Sequence, residues 1–222
     1  MEERFEEEAA AWAAWVRRDV YPHYAPAFFD LVPPPGRATL DVGCGEGRVT
    51  RDLTARGHST VGVDLSPTVV RMAAEADPGG DYRVAHASEL PFDDGAFDLV
   101  VAYNVLMDVD ALGAAVAEAG RVLARGGRLC ACVTHPLNDA RAFEGRVHSY
   151  LESQPFEIAE ERDGARMTFR GWTHSFEDYS RALESAGLVI EAVREPPGGP
   201  EQDDRWRRVP MFLMLRALKP RT

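Results

Sequence analysis

The stretch Thr39-Leu40-Asp41-Val42-Gly43-Cys44-Gly45-Glu46-Gly47 constrains this chain more than any other. An apolar run with an embedded Asp breaks into three glycines at alternate positions. That pattern reads as a buried strand entering a tight turn, with a helix beginning near Arg48 behind it. Glycines let the backbone turn sharply and leave room for a ligand against bare amides. The helix start adds unpaired N–H groups and the positive end of a dipole. Asp41 sets a carboxylate at the end of the strand. Such a turn suits a ligand carrying a carboxylate or phosphate together with an amine. The dinucleotide fingerprint wants glycines at the first, third and sixth positions of its motif. Gly43 and Gly45 meet the first two, but Arg48 stands at the last, so that pattern fails.

Strands and helices alternate on both sides of this turn. Residues 2–18 have Phe5, Ala9, Trp12, Trp15 and Val16 at helical spacing. Tyr21-Pro22-His23-Tyr24 is expected to break that helix, with a second short helix from Pro26 to Leu31. Expected strands are 38–42, 60–63, 82–85, 97–102, 128–133, 188–193 and 210–217. Expected helices between them are 48–56, 66–76, 110–123 and 176–186. The order predicts a doubly wound, seven-stranded, mostly parallel sheet with an antiparallel last strand. The unbroken Leu99-Val100-Val101 run suits a strand buried on both faces. Residues 1–36 read as an N-terminal helical lid. Residues 37–222 read as the main domain, with a small cap insertion at about 136–172 in the form of a β-ribbon.

Ligands in such sheets sit beyond the carboxyl ends of the strands. The chain marks those ends with Asp41, Asp64, His86, Tyr103-Asn104 and Thr134-His135. A net charge of −11 argues against a nucleic-acid partner. The acidic start and the lack of a long apolar run argue against a signal peptide or membrane span, so a cytoplasmic protein is expected. Cys44, Cys130 and Cys132 read as small buried hydrophobes, and no metal site is expected. A monomer or homodimer is expected, and the Trp12–Trp15 helix is the segment that would pair across a dimer.

Several blocks in order resemble the class I S-adenosylmethionine-dependent methyltransferases, and most of all the ubiquinone- and menaquinone-biosynthesis-like subgroup. They are Leu40 to Gly47, Val61-Gly62-Val63-Asp64-Leu65-Ser66, Leu90-Pro91-Phe92, Phe97-Asp98-Leu99-Val100 and Val122-Leu123-Ala124-Arg125-Gly126-Gly127-Arg128. The resemblance implies S-adenosylmethionine as cofactor and methyl transfer to a small-molecule acceptor, on oxygen or nitrogen. It also leaves room for a cyclase-like or regulatory homologue that keeps the cofactor fold without transferring methyl. It implies that the backbone of Gly43, Cys44 and Gly45 passes under the methionine part. Asp41 would hold the ammonium, Asp64 both ribose hydroxyls, and Leu65 one adenine face. Where the family usually has an Asp that accepts from the adenine amino group, this chain has His86. A neutral imidazole has one acceptor nitrogen and can take that role. Ser88, Glu89 or the backbone are the alternatives. Tyr103 completes the expected cofactor set.

Methyl transfer from a sulfonium mainly requires alignment and exclusion of water. A base is needed when the acceptor must shed a proton early. His135, just past the fifth strand, is the expected catalytic base or acceptor-orienting group. His148, His174, Asn104, Asp108 and Tyr21 are further candidates, whereas His23 and His58 are expected at the surface. The cap aromatics Tyr150, Phe156, Phe169 and Trp172 suit a partly apolar acceptor, and equally suit packing of the cap on the sheet.

Overall fold

The computed structural model describes every residue except 1–5, 7–8, 10, 14, 16–19, 138–148, 163–164 and 222. Helical positions occur at Glu6, Ala9, Ala11 to Ala13 and Trp15. Helix α1 spans Tyr21–Phe29 and leads to β1 (Thr39–Val42), α2 (Arg48–Ala55), β2 (Thr60–Asp64), α3 (Pro67–Ala76) and β3 (Asp81–Val84). The second half runs through β4 (Phe97–Tyr103), α4 (Leu112–Val122), β5 (Leu123–Thr134), β6 (Gln154–Arg162), β7 (Ala165–Thr173), α5 (Phe176–Ser185), β8 (Val189–Arg194) and β9 (Phe212–Leu218).

Seven strands form one sheet in the order β3-β2-β1-β4-β5-β9-β8. The pairs from β3 across to β5 are parallel, and β9 runs antiparallel to both β5 and β8. The last strand is therefore inserted between two earlier ones. The chain moves outward from β1 to β3 on one side and from β4 to β5 on the other. The crevice at that reversal lies beyond the ends of β1 and β4.

Alternation along the central strands sorts the core onto two faces. Val100 and Ala102 join Leu40, Leu129, Ala131 and Val133 under Leu112, Val116, Tyr179 and Leu183 of α4 and α5. Leu99 and Val101 join Cys130, Cys132 and Met214 under Tyr24, Phe28 and Leu53 of α1 and α2. The three cysteines are free and buried, as small hydrophobes are.

Two elements differ from the sequence reading. The helix after Val20 already begins at Tyr21, with Pro22 in its first turn, where no backbone donor is needed, and it continues through Pro26. Strand β5 begins at Leu123, directly where α4 ends, rather than at Arg128. Gly126, at φ 83°, lets the strand pass through a register shift against β4. His58 is also not a surface residue. It is 5% exposed, and its Nδ1 lies 3.0 Å from Thr39 Oγ1.

The cap is a ribbon of β6 and β7, paired antiparallel from Gln154↔Thr173 to Arg162↔Ala165. Residues 163–164, between the two strands, and the candidate His148 lie outside the described residues. The base of the ribbon is fastened to the body by the Trp172 N–H, which donates to Met107 O at 2.7 Å. Among the described residues, no helix is long and apolar enough to cross a membrane.

Candidate active site

The glycine turn is built by β2 as much as by its own sequence. The N–H groups of Gly43 and Cys44 both donate to Val63 O, at 2.8 and 2.9 Å. Gly45 N–H donates to Asp64 Oδ2 at 2.9 Å, and Gly47 N–H to Cys44 O at 2.9 Å. Gly43, Gly45 and Gly47 all have positive φ, which the sharp turn requires. These amides are therefore not bare, contrary to the sequence reading. The turn lacks the open nest of N–H groups that a phosphate needs. What remains at this end is carboxylate, which favours a ligand with a positive charge and hydroxyls.

Asp41 is 1% exposed at the end of β1. Its Oδ2 accepts from Thr50 Oγ at 2.6 Å, while its Oδ1 is buried without a partner among the described residues. Burial pushes its carboxyl up to about 7; the Thr50 hydrogen bond opposes that shift and the nearby Asp64 charge adds to it. Asp64, at the end of β2, is raised by burial too, against backbone N–H groups that favour the ionised form. Gly45 N–H donates to Oδ2, Ser66 N–H to Oδ1 at 3.0 Å, and Leu65 N–H also bonds the carboxylate. A carboxylate has about four acceptor sites, so it keeps capacity for a ligand hydroxyl. Ser66 caps α3 by accepting from Val69 N–H at 3.3 Å, which leaves Asp64 clear of that duty.

A cavity opens beside this turn, holding about 1110 Å³ of empty space with its solvent-open mouth included. Its inner wall holds Val42, Gly43, Asp64, Leu65 and His86, and its outer wall includes Asn104, Asp108, Asp110, Met167, Phe169 and Arg170. Trp12 closes one side. A Cβ on Gly45 would lie 2.8 Å from the Trp12 ring, so the N-terminal helix lies directly on the turn. The same helix reaches two other parts of the site. Glu6 accepts hydrogen bonds from the hydroxyls of Ser66 and Thr68, and Trp15 meets Phe169 edge-on with ring centroids 5.8 Å apart. These contacts give Trp12 and Trp15 intrachain roles. At the outer wall, Asn104 adopts a positive φ of 53°, and its Oδ1 is buried without a partner among the described residues. Trp172 Nε1 donates to Asp110 Oδ1 at 3.2 Å, and Arg170 pairs with Glu157 at 2.9 Å.

The sequence-selected residues divide into two groups. Gly43, Asp64, Leu65 and His86 line the cavity together. Asp41, Cys44 and Gly45 form the turn beside it. Ser88 is bound to the His86 ring. Tyr103 turns away, its ring packed edge-on against Tyr21 at 5.4 Å and Phe28 at 4.9 Å in the opposite core. His135 is 5% exposed and is not among the lining residues. Its Nδ1 accepts from Leu137 N–H at 3.1 Å, and its Nε2 pairs with Glu195 at 2.8 Å, so both ring nitrogens are engaged in tying β5 to the end of β8. His174 is also committed elsewhere, with Nδ1 2.9 Å from Ser153 Oγ below the ribbon. Sequence reasoning did not select Trp12, Asp110, Met167 or Arg170 as site residues. The candidates Asn104 and Asp108 and the cap aromatic Phe169 do line that wall.

Residues 40–131 match the family described as methyltransferase domain. Among curated proteins, the chain is similar to a demethylmenaquinone methyltransferase of Tropheryma whipplei, 33% identical over 158 residues. That match covers 69% of this chain and 64% of the relative, which is less than two thirds of the relative's length. Among solved structures, it resembles an S-adenosylmethionine-dependent methyltransferase from Mesorhizobium loti, with a TM-score of 0.69 and 24% identity over 87% of this chain and 96% of that one. It also resembles the cyclase SpnF, with a TM-score of 0.63 and 21% identity over 91% of this chain and 84% of that one. Likeness at these identities speaks for the fold, and one fold carries more than one chemistry.

Proposed function

We propose that this chain, whose residues 40–131 match the methyltransferase-domain family, transfers a methyl group from S-adenosylmethionine to a small molecule held under the β6–β7 ribbon. The observation that carries this reading is the continuity of the cavity. It runs from Asp64, Leu65 and His86 at the strand ends to Met167, Phe169 and Arg170 on the ribbon. A cofactor anchored at the first end lies beside an acceptor at the second.

The residues fit the cofactor on structural grounds. The buried Asp41 Oδ1, without a partner among the described residues, suits an ammonium group, and the Asp64 carboxylate keeps acceptor capacity for a ribose hydroxyl. Gly43, Cys44 and Gly45 underlie the methionine part, and Leu65 covers one face of the base. The cofactor supplies an already activated methyl group, so the protein's task is alignment and exclusion of water. Trp12 and Phe169, which both line the cavity, serve that task, with residues 1–36 acting as the lid and the ribbon as the cap. Asn104, Asp108, Asp110 and Thr168 give the acceptor end polar anchors among apolar walls.

The test is calorimetric titration with S-adenosylmethionine and with S-adenosylhomocysteine. Micromolar binding of both is expected, weakened roughly 100-fold in Asp64→Asn by loss of a charge-assisted hydrogen bond. Absence of binding overturns the reading. Phenols, amines and carboxylates are then screened for acceptor-dependent formation of S-adenosylhomocysteine. The likeness to SpnF supports a second reading, in which the fold keeps the cofactor without transferring methyl. Tight binding of cofactor with no methylated product across the screen would favour it.

A further inference from the structure

The first side chain past β4 stands where the two ends of the cavity meet. Asn104 follows Tyr103, and its N–H donates to Cys132 O at 2.8 Å, so β5 holds its backbone. Val105 covers the glycine turn, since a Cβ on Gly43 would lie 2.4 Å from Val105 Cγ2. Further along the loop Asp108 meets the ribbon, since a Cβ on Gly171 would lie 3.1 Å from its Oδ1. Asn104 thus occupies the cavity wall between the turn and the cap. Among the described residues other than glycine, it alone has a positive φ, a conformation that Asn tolerates better than most. Its Oδ1 has no partner among the described residues. The χ2 torsion of an Asn is soft, so that oxygen can turn to meet a donor in the cavity.

The rest of the wall says which donor. Among the described residues, no imidazole lines the acceptor end. His86 follows Ala85, whose N–H donates to Asp64 O, and His135 and His174 are engaged elsewhere. The charged groups lining the acceptor end are Asp108, Asp110 and Arg170, and Arg170 pairs with Glu157 at 2.9 Å. A carboxylate is a weak base toward a phenol, whose pKa is about 10, and it repels an acceptor carboxylate. An amine needs neither a base nor a cation. Its lone pair is nucleophilic before any proton leaves, and its N–H bonds a carbonyl oxygen. On the methyltransferase reading above, we propose that the acceptor is an amine, held through its N–H by Asn104 Oδ1 with its lone pair toward the methyl group. The nitrogen lone pair forms the new C–N bond as the methyl–sulfur bond breaks, and the electron pair of that bond stays on sulfur. The products are a methylammonium ion, which loses its proton to water, and S-adenosylhomocysteine. The apolar part of the amine lies against Met167 and Phe169.

Matched acceptors test the assignment. Benzylamine, 2-phenylethylamine and aniline are compared with phenol, benzyl alcohol and benzoate, each with S-adenosylmethionine, by release of S-adenosylhomocysteine and by product mass. At least one amine is expected to be methylated, with kcat/KM roughly tenfold or more above that of any oxygen acceptor. Asn104→Gly keeps the positive φ and removes the amide. Its kcat/KM for that amine is expected to fall about five- to tenfold, the value of one hydrogen bond, mostly through KM. Its affinity for S-adenosylhomocysteine should stay within about threefold of wild type. Asn104→Asp, which offers an acceptor oxygen again, should recover most of the loss. A residue that served only to shape the loop would be replaced by Gly without penalty, so an unchanged kcat/KM in Asn104→Gly overturns the proposal. If neither variant folds, the wild-type acceptor panel still decides. Product from phenol, benzyl alcohol or benzoate with none from any amine overturns the amine assignment alone. Failure to bind S-adenosylhomocysteine, or no product from any acceptor, overturns the methyltransferase reading with it.

Discussion

The two ends of the cavity are built on different principles. At the glycine turn, the ties run between neighbouring elements of the sheet domain itself. Gly43 and Cys44 are tied to Val63 O, Gly45 is tied to Asp64, and Asp41 is fixed by Thr50. Val63 and Asp64 end β2, and Thr50 belongs to α2, the helix that leaves the turn. At the ribbon, side chains do the positioning. Phe169 rests on Trp15, Arg170 on Glu157, and the Trp172 ring on Asp110. The first end can hold its shape with or without the cap. The second exists only where an insertion and an N-terminal helix meet. On the proposed reading, the sheet end holds the cofactor, while the acceptor is left to parts of the chain outside the sheet.

The largest expected effect breaks the first end alone. Asp41→Asn removes a charge-assisted contact and should weaken S-adenosylhomocysteine binding roughly 10- to 100-fold by calorimetry. It should also remove a pH dependence. With its carboxyl held near 7 by burial, Asp41 must be ionised to hold an ammonium. Wild-type affinity should therefore be about tenfold lower at pH 6 than at pH 8, and the variant's should be flat apart from the ligand's own titration. The effect on stability has the opposite sign. A carboxyl whose folded pKa lies above its unfolded value binds more protons in the folded state. Its stabilising contribution is complete below about pH 4 and is lost as pH rises through about 7. Asp41→Asn should thus raise the melting temperature at pH 8 relative to wild type while lowering affinity. A variant that loses affinity and stability together at pH 8 would show that Asp41 is a structural strut instead.

Breaking the second end should leave the first intact. Phe169→Ala removes a ring that lines the cavity and meets Trp15. Once an acceptor is identified, its kcat/KM should fall about 10- to 30-fold, mostly through KM, while affinity for S-adenosylhomocysteine stays within about threefold. Parallel losses of both would mean that the lid, the ribbon and the turn close as one unit, and the contrast drawn above would not hold.

The same contrast explains what was legible in the sequence. The mostly parallel sheet with an antiparallel last strand, the turn and the Asp64–Leu65 pair are written locally, as apolar runs ending in Asp and glycine at fixed spacing, and the structure has them, whereas the insertion of the last strand between β5 and β8 was not legible. The burial of the turn's amides was not legible, because their partner Val63 O belongs to another strand. Nor was the single helix through Pro22 and Pro26, since two prolines read as breaks unless one falls in a first turn. Trp12 showed helical periodicity but not the surface it covers. Tyr103 sits at a strand end, as did the residues that line the cavity, yet alternation sends its side chain into the α1 core. Position along a strand gives the end of the sheet, and the face is decided by parity, which one slipped residue inverts.

His135 is the sharpest case of position misleading about role, and it gives the smallest expected effect on chemistry. It lies past the end of β5, where a crevice residue belongs, and its type suits a base. Its ring is instead held on both sides. Leu137 N–H fixes Nδ1 as the acceptor, so Nε2 carries the proton and donates it to the Glu195 carboxylate. A ring so engaged has no free lone pair for an acceptor's proton. His135→Ala leaves the Leu137 N–H and the Glu195 carboxylate without this partner, at a cost of about 1–3 kcal/mol. For a domain of this size that corresponds to a fall in melting temperature of roughly 2–10 °C. Turnover per folded molecule, measured well below that melting temperature, should stay within about threefold of wild type. His135→Gln, which offers the carboxylate an N–H again, should recover part of the lost stability with no gain in turnover. A loss of turnover of 100-fold or more in His135→Ala at unchanged cofactor affinity would reverse this assignment. It would mean that the His135–Glu195 pair opens toward the acceptor during the reaction and acts as its base.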